Sequence, residues 1–112
     1  MNMDKMQVAN TIYEQLGGHR FKTMTGAYDL MATDDGTAGM SPALCFKLPS
    51  CSAKNGINFV KIILDPSDTY TIEFAKWSWR ARRKKFSEIE DMIYCDQLQE
   101  VFTEHTGLYT RL

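Results

Sequence analysis

Cysteine is scarce and unpatterned in this chain. Cys45, Cys51 and Cys95 are an odd number, and no two stand in a CxxC spacing. That argues against a disulfide framework and for a reducing compartment. Long apolar runs are missing as well: no stretch approaches the roughly 20 residues that span a bilayer. The opening MNMDKMQVAN lacks the basic segment and apolar run of a secretory signal. The expectation is a cytoplasmic protein with no membrane partner.

The residues that carry chemistry are equally thin. The two histidines, His19 and His105, and the three cysteines show no spacing that would build a tetrahedral metal site. Asp34-Asp35-Gly36 has the start of a calcium loop, but Thr37, Gly39 and Met40 follow where ligands are needed, and the closing acid is missing, so it reads as a turn. Gly17-Gly18 follows a helical pattern, whereas a phosphate-binding loop needs a strand before the glycines and a helix after them. Cys45 and Cys95 read as small buried hydrophobes. Glu88 and Glu90 read as a solvated pair, and His105 as a packed histidine. No nucleophile, base and orienting group converge. The expectation is therefore no catalytic residue, no cofactor, no metal and no enzyme.

What is present is an ordinary globular composition, 112 residues with 44% hydrophobic and 24% charged, the size and make-up of a single domain covering 1–112. Its sharpest feature is a reversal of charge. Lys76, Arg80, Arg82, Arg83, Lys84 and Lys85 stand in ten residues without an acid; Glu88, Glu90, Asp91, Asp96, Glu100 and Glu104 follow in nineteen without a base. The two blocks cancel within a net charge of -1, so the bulk figure hides a dipolar surface of the kind that steers a partner.

Apolar Val8, Ile12 and Leu16, with Ala9 and Tyr13, recur at helical spacing after the candidate caps Asp4 and Asn2, and Gly17-Gly18 ends that helix. Residues 20–25 (RFKTMT) read as a short strand, and 33–42 as loop. Leu44, Phe46 and Leu48 alternate with Ala43, Cys45 and Lys47 as a half-buried strand stopped by Pro49. INFVKIIL (57–64) is the central strand, and Asp65-Pro66-Ser67-Asp68 turns it into TYTIEFAKW, with Tyr70, Ile72 and Phe74 on one face. Ser87-Glu88-Ile89-Glu90 matches a capping box, yet a helix starting there puts Ile89 and Ile93 opposite Leu98, Val101, Phe102 and His105. The phase predicts a strand over 80–89 and a helix from about Asp91, with Tyr94, Leu98, Val101, Phe102 and His105 as its buried stripe. Gly107 closes that helix, Leu108 folds back on Phe102, and the tail Leu108, Tyr109, Leu112 packs. The fold expected is α+β: an N-terminal helix, an antiparallel sheet of four or five strands, and a C-terminal helix.

Three segments, QLGGHRFKTMTGA (15–27), LDPSDTYTIEF (64–74) and DQLQEVFTEHTGLYT (96–110), resemble a family of small bacterial proteins often encoded by phages and integrated mobile elements. The resemblance spans about a third of the chain, with the TGLYT ending its most specific part. It implies a mobile-element accessory protein and carries over no catalytic residue.

The candidate binding residues are Trp77, Trp79, Arg80, Arg82, Arg83, Lys84 and Lys85. In an extended segment Trp77, Trp79, Ala81 and Arg83 share one face and Arg80, Arg82 and Lys84 the other. Aromatics among cations on a sheet can hold single-stranded nucleic acid, with bases on the rings and phosphates on the cations. The same residues can instead pack the tryptophans against the helices and guard a sheet edge, or meet an acidic protein surface, including a second copy in a two-fold dimer. The function expected is a non-enzymatic accessory protein that binds another macromolecule, a protein first and nucleic acid as the alternative.

Overall fold

The computed structural model describes residues 5–34, 42–49, 52–78 and 80–110. Asp4, Asn2, Asp35-Gly36, Cys51, Trp79 and Leu112, all singled out above, lie outside them. Helix α1 (Lys5–Leu16) buries Val8, Ala9, Ile12 and Leu16, the stripe its spacing predicts. It ends at the glycine pair, where Gly18 N–H donates to the Tyr13 carbonyl (2.9 Å) and Gly17 N–H to that of Glu14 (3.1 Å), the two bonds of a Schellman end.

Residues 20–25 are not a strand. They belong to a second helix, α2 (His19–Thr25), with Phe21 and Thr25 buried one turn apart. Glycines bracket it: Lys22 N–H donates to the Gly18 carbonyl, and Gly26, left-handed at φ 75°, caps the end on the Lys22 carbonyl. The Thr25 hydroxyl donates to the Phe21 carbonyl at 2.8 Å, so a β-branched residue that favours strands is absorbed by a helical bond.

Five strands follow: β1 (Tyr28–Asp34), β2 (Pro42–Lys47), β3 (Phe59–Leu64), β4 (Tyr70–Ser78) and β5 (Arg83–Ile93). They form one antiparallel meander in chain order, which puts β3 at the centre. At the β3–β4 hairpin Asp65 N–H donates to the Thr69 carbonyl and Asp68 takes φ 65°. Thr71 Oγ1 donates to the Asp65 carboxylate at 2.6 Å and holds the bend.

Ile72 to Lys76 of β4 pair in unbroken register with Glu90 to Phe86 of β5. Beyond them the register shifts at both ends. Met92, at φ 56°, lies in the second shift and turns the strand over, so Ile93 is buried while Ile89, four residues earlier, is 66% exposed.

Helix α3 (Leu98–Thr106) follows a 3-10 turn at Cys95–Gln97, bears out the phase argument, and buries Leu98, Val101, Phe102 and Thr106. Gly107 ends it at φ 76°, its N–H on the Thr103 carbonyl at 2.7 Å. Tyr94 and Tyr109 are exposed, and Cys95 is an exposed thiol in the 3-10 turn. All three correct the burial expected of them. The chain reaches α3 only after that extra turn, which leaves Tyr94 outside, while at the other end it is Leu108 that packs on the core.

The three helices cover one face of the sheet. Phe21 of α2, Phe46 of β2 and Phe102 of α3 meet with centroids 5.2, 5.5 and 6.1 Å apart, and Phe74 of β4 joins Phe102 at 6.5 Å. Polar ties fix the helices to one another and to the sheet. Gln99 Nε2 donates to the Leu16 carbonyl (2.7 Å), and the Tyr70 hydroxyl donates to Gln15 Oε1 (2.7 Å). No helix among the described residues is long and apolar enough to cross a membrane.

Candidate functional site

Strand pairing fixes what the uncovered face carries. Directly opposed residues of an antiparallel pair point to the same side. Met31, Cys45, Lys61, Glu73 and Ile89 therefore form one row across all five strands, and Thr33, Ala43, Ile63 and Thr71 a second beside it. Phe59 and Ala75 lie on the other side of the first row, against Lys47 and Ser87. Thr71, Glu73 and Lys61 are half-buried, as expected of a partly wet face.

The apolar content of that face was not anticipated. Met31 and Ile89 are 60% and 66% exposed, and Phe59, Ile63 and Trp77 are half-buried between them. A signal existed: alternation in INFVKIIL puts Phe59, Lys61 and Ile63 on one side. A run apolar at nearly every position, however, reads as buried on both.

Trp77, Arg83 and Lys84 come together at one end of this face, with Trp77 opposite Lys84 and Ser78 opposite Arg83. Arg80 and Arg82 do not continue a strand, as the extended reading required. Residues 80–82 are the turn between β4 and β5: Arg82 N–H donates to the Ser78 carbonyl at 2.7 Å, Ala81 N–H to the Ser78 hydroxyl at 3.2 Å, and Arg82 sits at φ 58°. Ser78 ends the ladder by bonding the turn, and the cations fan out around a hairpin tip instead of alternating along a ribbon. Arg80, Arg82, Arg83, Lys84 and Lys85 are all exposed.

Trp77 lies on the open face and not against the helices. Its ring meets Phe59 edge-on at 6.4 Å, and Lys84 Nζ stands 5.9 Å from the ring centroid while ion-pairing with Glu73. Buried Asn58 fixes its backbone from both sides: Nδ2 donates to the Trp77 carbonyl (3.0 Å) and Oδ1 accepts from the Trp77 N–H (2.9 Å).

On the helix side, β5 and α3 make the densest ionisable cluster described. Glu88 and Glu90 project from β5 to either side of His105, with Nδ1 at 2.7 Å from Glu88 Oε1 and Nε2 at 3.0 Å from Glu90 Oε1. The imidazole stacks on Phe74 with centroids 4.5 Å apart and planes 12° from parallel. Burial disfavours the imidazolium, but the hydrogen bonds and charges of the two carboxylates outweigh it and hold the pKa above the ordinary histidine value. His105 is packed, as expected, but in an ionic clamp, and Glu88 and Glu90 are half-buried members of it, not a solvated pair.

Burial pushes the Cys45 thiol up, with Lys61 pulling the other way and Glu73 adding to the rise. That is the opposite of an activated nucleophile. Two clefts flank the sheet: one of about 230 Å3 against Tyr13, Lys22, Leu30 and Met31, and an open one of about 680 Å3 against Asp96, Glu100, Glu104 and Tyr109. Neither contains the His105 clamp. Among the described residues no three His, Cys, Asp or Glu side chains are grouped to hold a metal. Compared with known family models, curated proteins and solved structures, the chain shows no match.

Proposed function

We propose that this is a non-enzymatic binding module that recognises another protein through the open sheet face, and that the recognised segment is acidic with apolar anchors. The observation that carries the reading is the pairing of exposed Met31 and half-buried Phe59, Ile63 and Trp77 with the exposed cations of the Arg80–Lys85 hairpin tip at one end of the same face. Apolar area supplies affinity, and the one-signed rim selects an acidic partner and speeds encounter.

Two features favour protein over nucleic acid. The Trp77 ring is flanked by Phe59 and Lys84, which leaves it poorly placed as a stacking platform, and Lys84 is held by Glu73. The setting proposed is cytoplasmic, which suits the free thiols Cys45 and Cys95, and the context is that of a phage or mobile-element accessory protein, on the resemblance in residues 15–27, 64–74 and 96–110.

The test is affinity capture with wild type, Met31→Asp and the pair Arg80→Glu with Arg82→Glu, followed by titration of the purified captured protein. The reading requires one acidic protein that both variants lose. A protein retained equally by both variants overturns it. Short DNA and RNA are titrated in parallel at low salt. Tight binding there that falls steeply with salt, roughly 0.7–0.9 log units per phosphate contact, would transfer the site to nucleic acid.

A further inference from the structure

The outer edge of β5 is the second surface the fold leaves open. β5 is the last strand of the sheet and eleven residues long (RKKFSEIEDMI), with neither proline nor glycine. No described segment pairs with its far side. Natural edges are usually shortened, kinked or guarded by charges of one sign. This one is long, and its middle, Phe86–Glu90, is regular.

Its charges are divided by sign along the strand: Arg83, Lys84 and Lys85 at the start, Glu88, Glu90 and Asp91 toward the end. We propose that β5 pairs antiparallel with β5 of a second copy, about a two-fold axis through Ser87, to form one continuous sheet. That register sets Arg83 opposite Asp91 and Lys84 opposite Glu90, each twice by symmetry, with Phe86 beside Glu88. A parallel in-register stack would instead put cation on cation and acid on acid. The pattern thus favours a closed dimer and disfavours an open fibre.

The occupant follows from the same pattern. A complementary strand must carry acids where β5 carries bases, in reversed order, and β5 read backwards is such a strand. Acceptors remain after internal pairing. His105 supplies one positive charge to the two carboxylates of Glu88 and Glu90, and Asp91 is exposed. Because i and its partner have equal parity about Ser87, both open faces come to the same side, so the dimer doubles the surface assigned above without depending on what that surface binds. Edge pairing buries less than the roughly 1,200–2,000 Å2 of a standard interface, so association belongs in the micromolar range.

Sedimentation equilibrium of the intact chain tests this. Wild type at about 100 µM and low salt is expected at twice the 12.8 kDa chain mass, with the dimer weakening as salt rises. Arg83→Glu and Asp91→Arg each turn two attractions into repulsions and should weaken self-association about tenfold or more. An equimolar mixture of the two variants restores opposite signs at both contacts and should regain the dimer. The double variant, which rejoins the signs within one chain, provides the same test should a single variant misfold. A wild-type monomer at that concentration overturns the proposal, as does a dimer that neither variant weakens or a mixture that stays monomeric.

Discussion

Replacing His105 by alanine should destabilise the fold by an amount that depends on pH, because only the imidazolium can satisfy both carboxylates at once. A neutral ring has one N–H and one lone pair. Set between Glu88 at 2.7 Å and Glu90 at 3.0 Å, it donates to one carboxylate and turns its lone pair on the other. The imidazolium donates to both. Glu88 and Glu90 are 36% and 42% exposed, so each contact is worth about 1 kcal/mol, between the surface ion-pair range and that of buried charged hydrogen bonds. Loss of the stack on Phe74 adds about 0.5–1 kcal/mol, and alanine returns about 0.5 kcal/mol through helix propensity. The net cost is about 2 kcal/mol with the ring charged.

The folded pKa is raised, so this contribution is complete below the unfolded value of about 6.5 and is lost as pH rises through the folded pKa. Urea unfolding of wild type and variant, at about pH 6 and about pH 9 with the unfolded value between them, should give a difference near 2 kcal/mol falling to about 1 kcal/mol or less. A penalty that is constant across that range, or larger at high pH, would falsify the ionic clamp and leave His105 as simple packing.

Phe102, fully buried among Phe21, Phe46 and Phe74, should cost about 3–5 kcal/mol as alanine, read from the urea midpoint at unchanged slope; a loss under about 1 kcal/mol would mean the aromatic cluster is not the centre of the core. Asn58→Ala removes both hydrogen bonds to the Trp77 backbone and should cost about 1–3 kcal/mol with a change in tryptophan emission; unchanged emission and stability would dismiss the bracket. Gly107→Ala imposes a left-handed conformation at φ 76° on an L-residue and brings its Cβ to 3.2 Å from the Lys54 side chain, so a loss of about 1 kcal/mol is expected, and a stabilised variant would contradict the cap.

The elements legible from sequence are those decided locally. The stripe of α1, the Asp65–Asp68 hairpin and the glycine stop of α3 each combine a periodicity with a terminator a few residues away. The phase conflict between Ile89 and Leu98 was enough to make β5 a strand. Residues 20–25 failed because threonine was weighed as a strand former, while the glycines on either side, which bound two helical turns, were used only to end α1. The Glu88–His105–Glu90 clamp was invisible for a different reason. Alternation puts Glu88 and Glu90 on one face of β5, but only the docking of α3 over that face places His105 between them, and no local pattern encodes docking. Met92 is a third kind of case: a positive φ in a non-glycine residue reverses the side of Ile93, and sequence gives no warning of it.

The charge reversal that dominates the sequence is redistributed by the fold, and this has a measurable consequence. Its basic half stays outside, at the hairpin tip and the start of β5. Its acidic half divides: Glu88 and Glu90 turn in to His105, whereas Asp91, Asp96, Glu100 and Glu104 remain exposed. Below the folded pKa of His105 the clamp carries a net single negative charge, and above it two. Arg83 and Lys84 of a paired copy would face that charge, so loss of the proton strengthens the β5–β5 contact while it weakens the fold of each chain. One added charge pair at an exposed edge is worth about 0.5 kcal/mol, which is roughly a two- to threefold tighter dimer. The two quantities should therefore move in opposite directions over the same pH interval, sedimentation giving the first and urea unfolding of dilute monomer the second. In His105→Ala the pH dependence of both should flatten. A dimer that weakens as the clamp deprotonates would separate the two halves of this argument and show that the edge contact does not draw on Glu88 and Glu90.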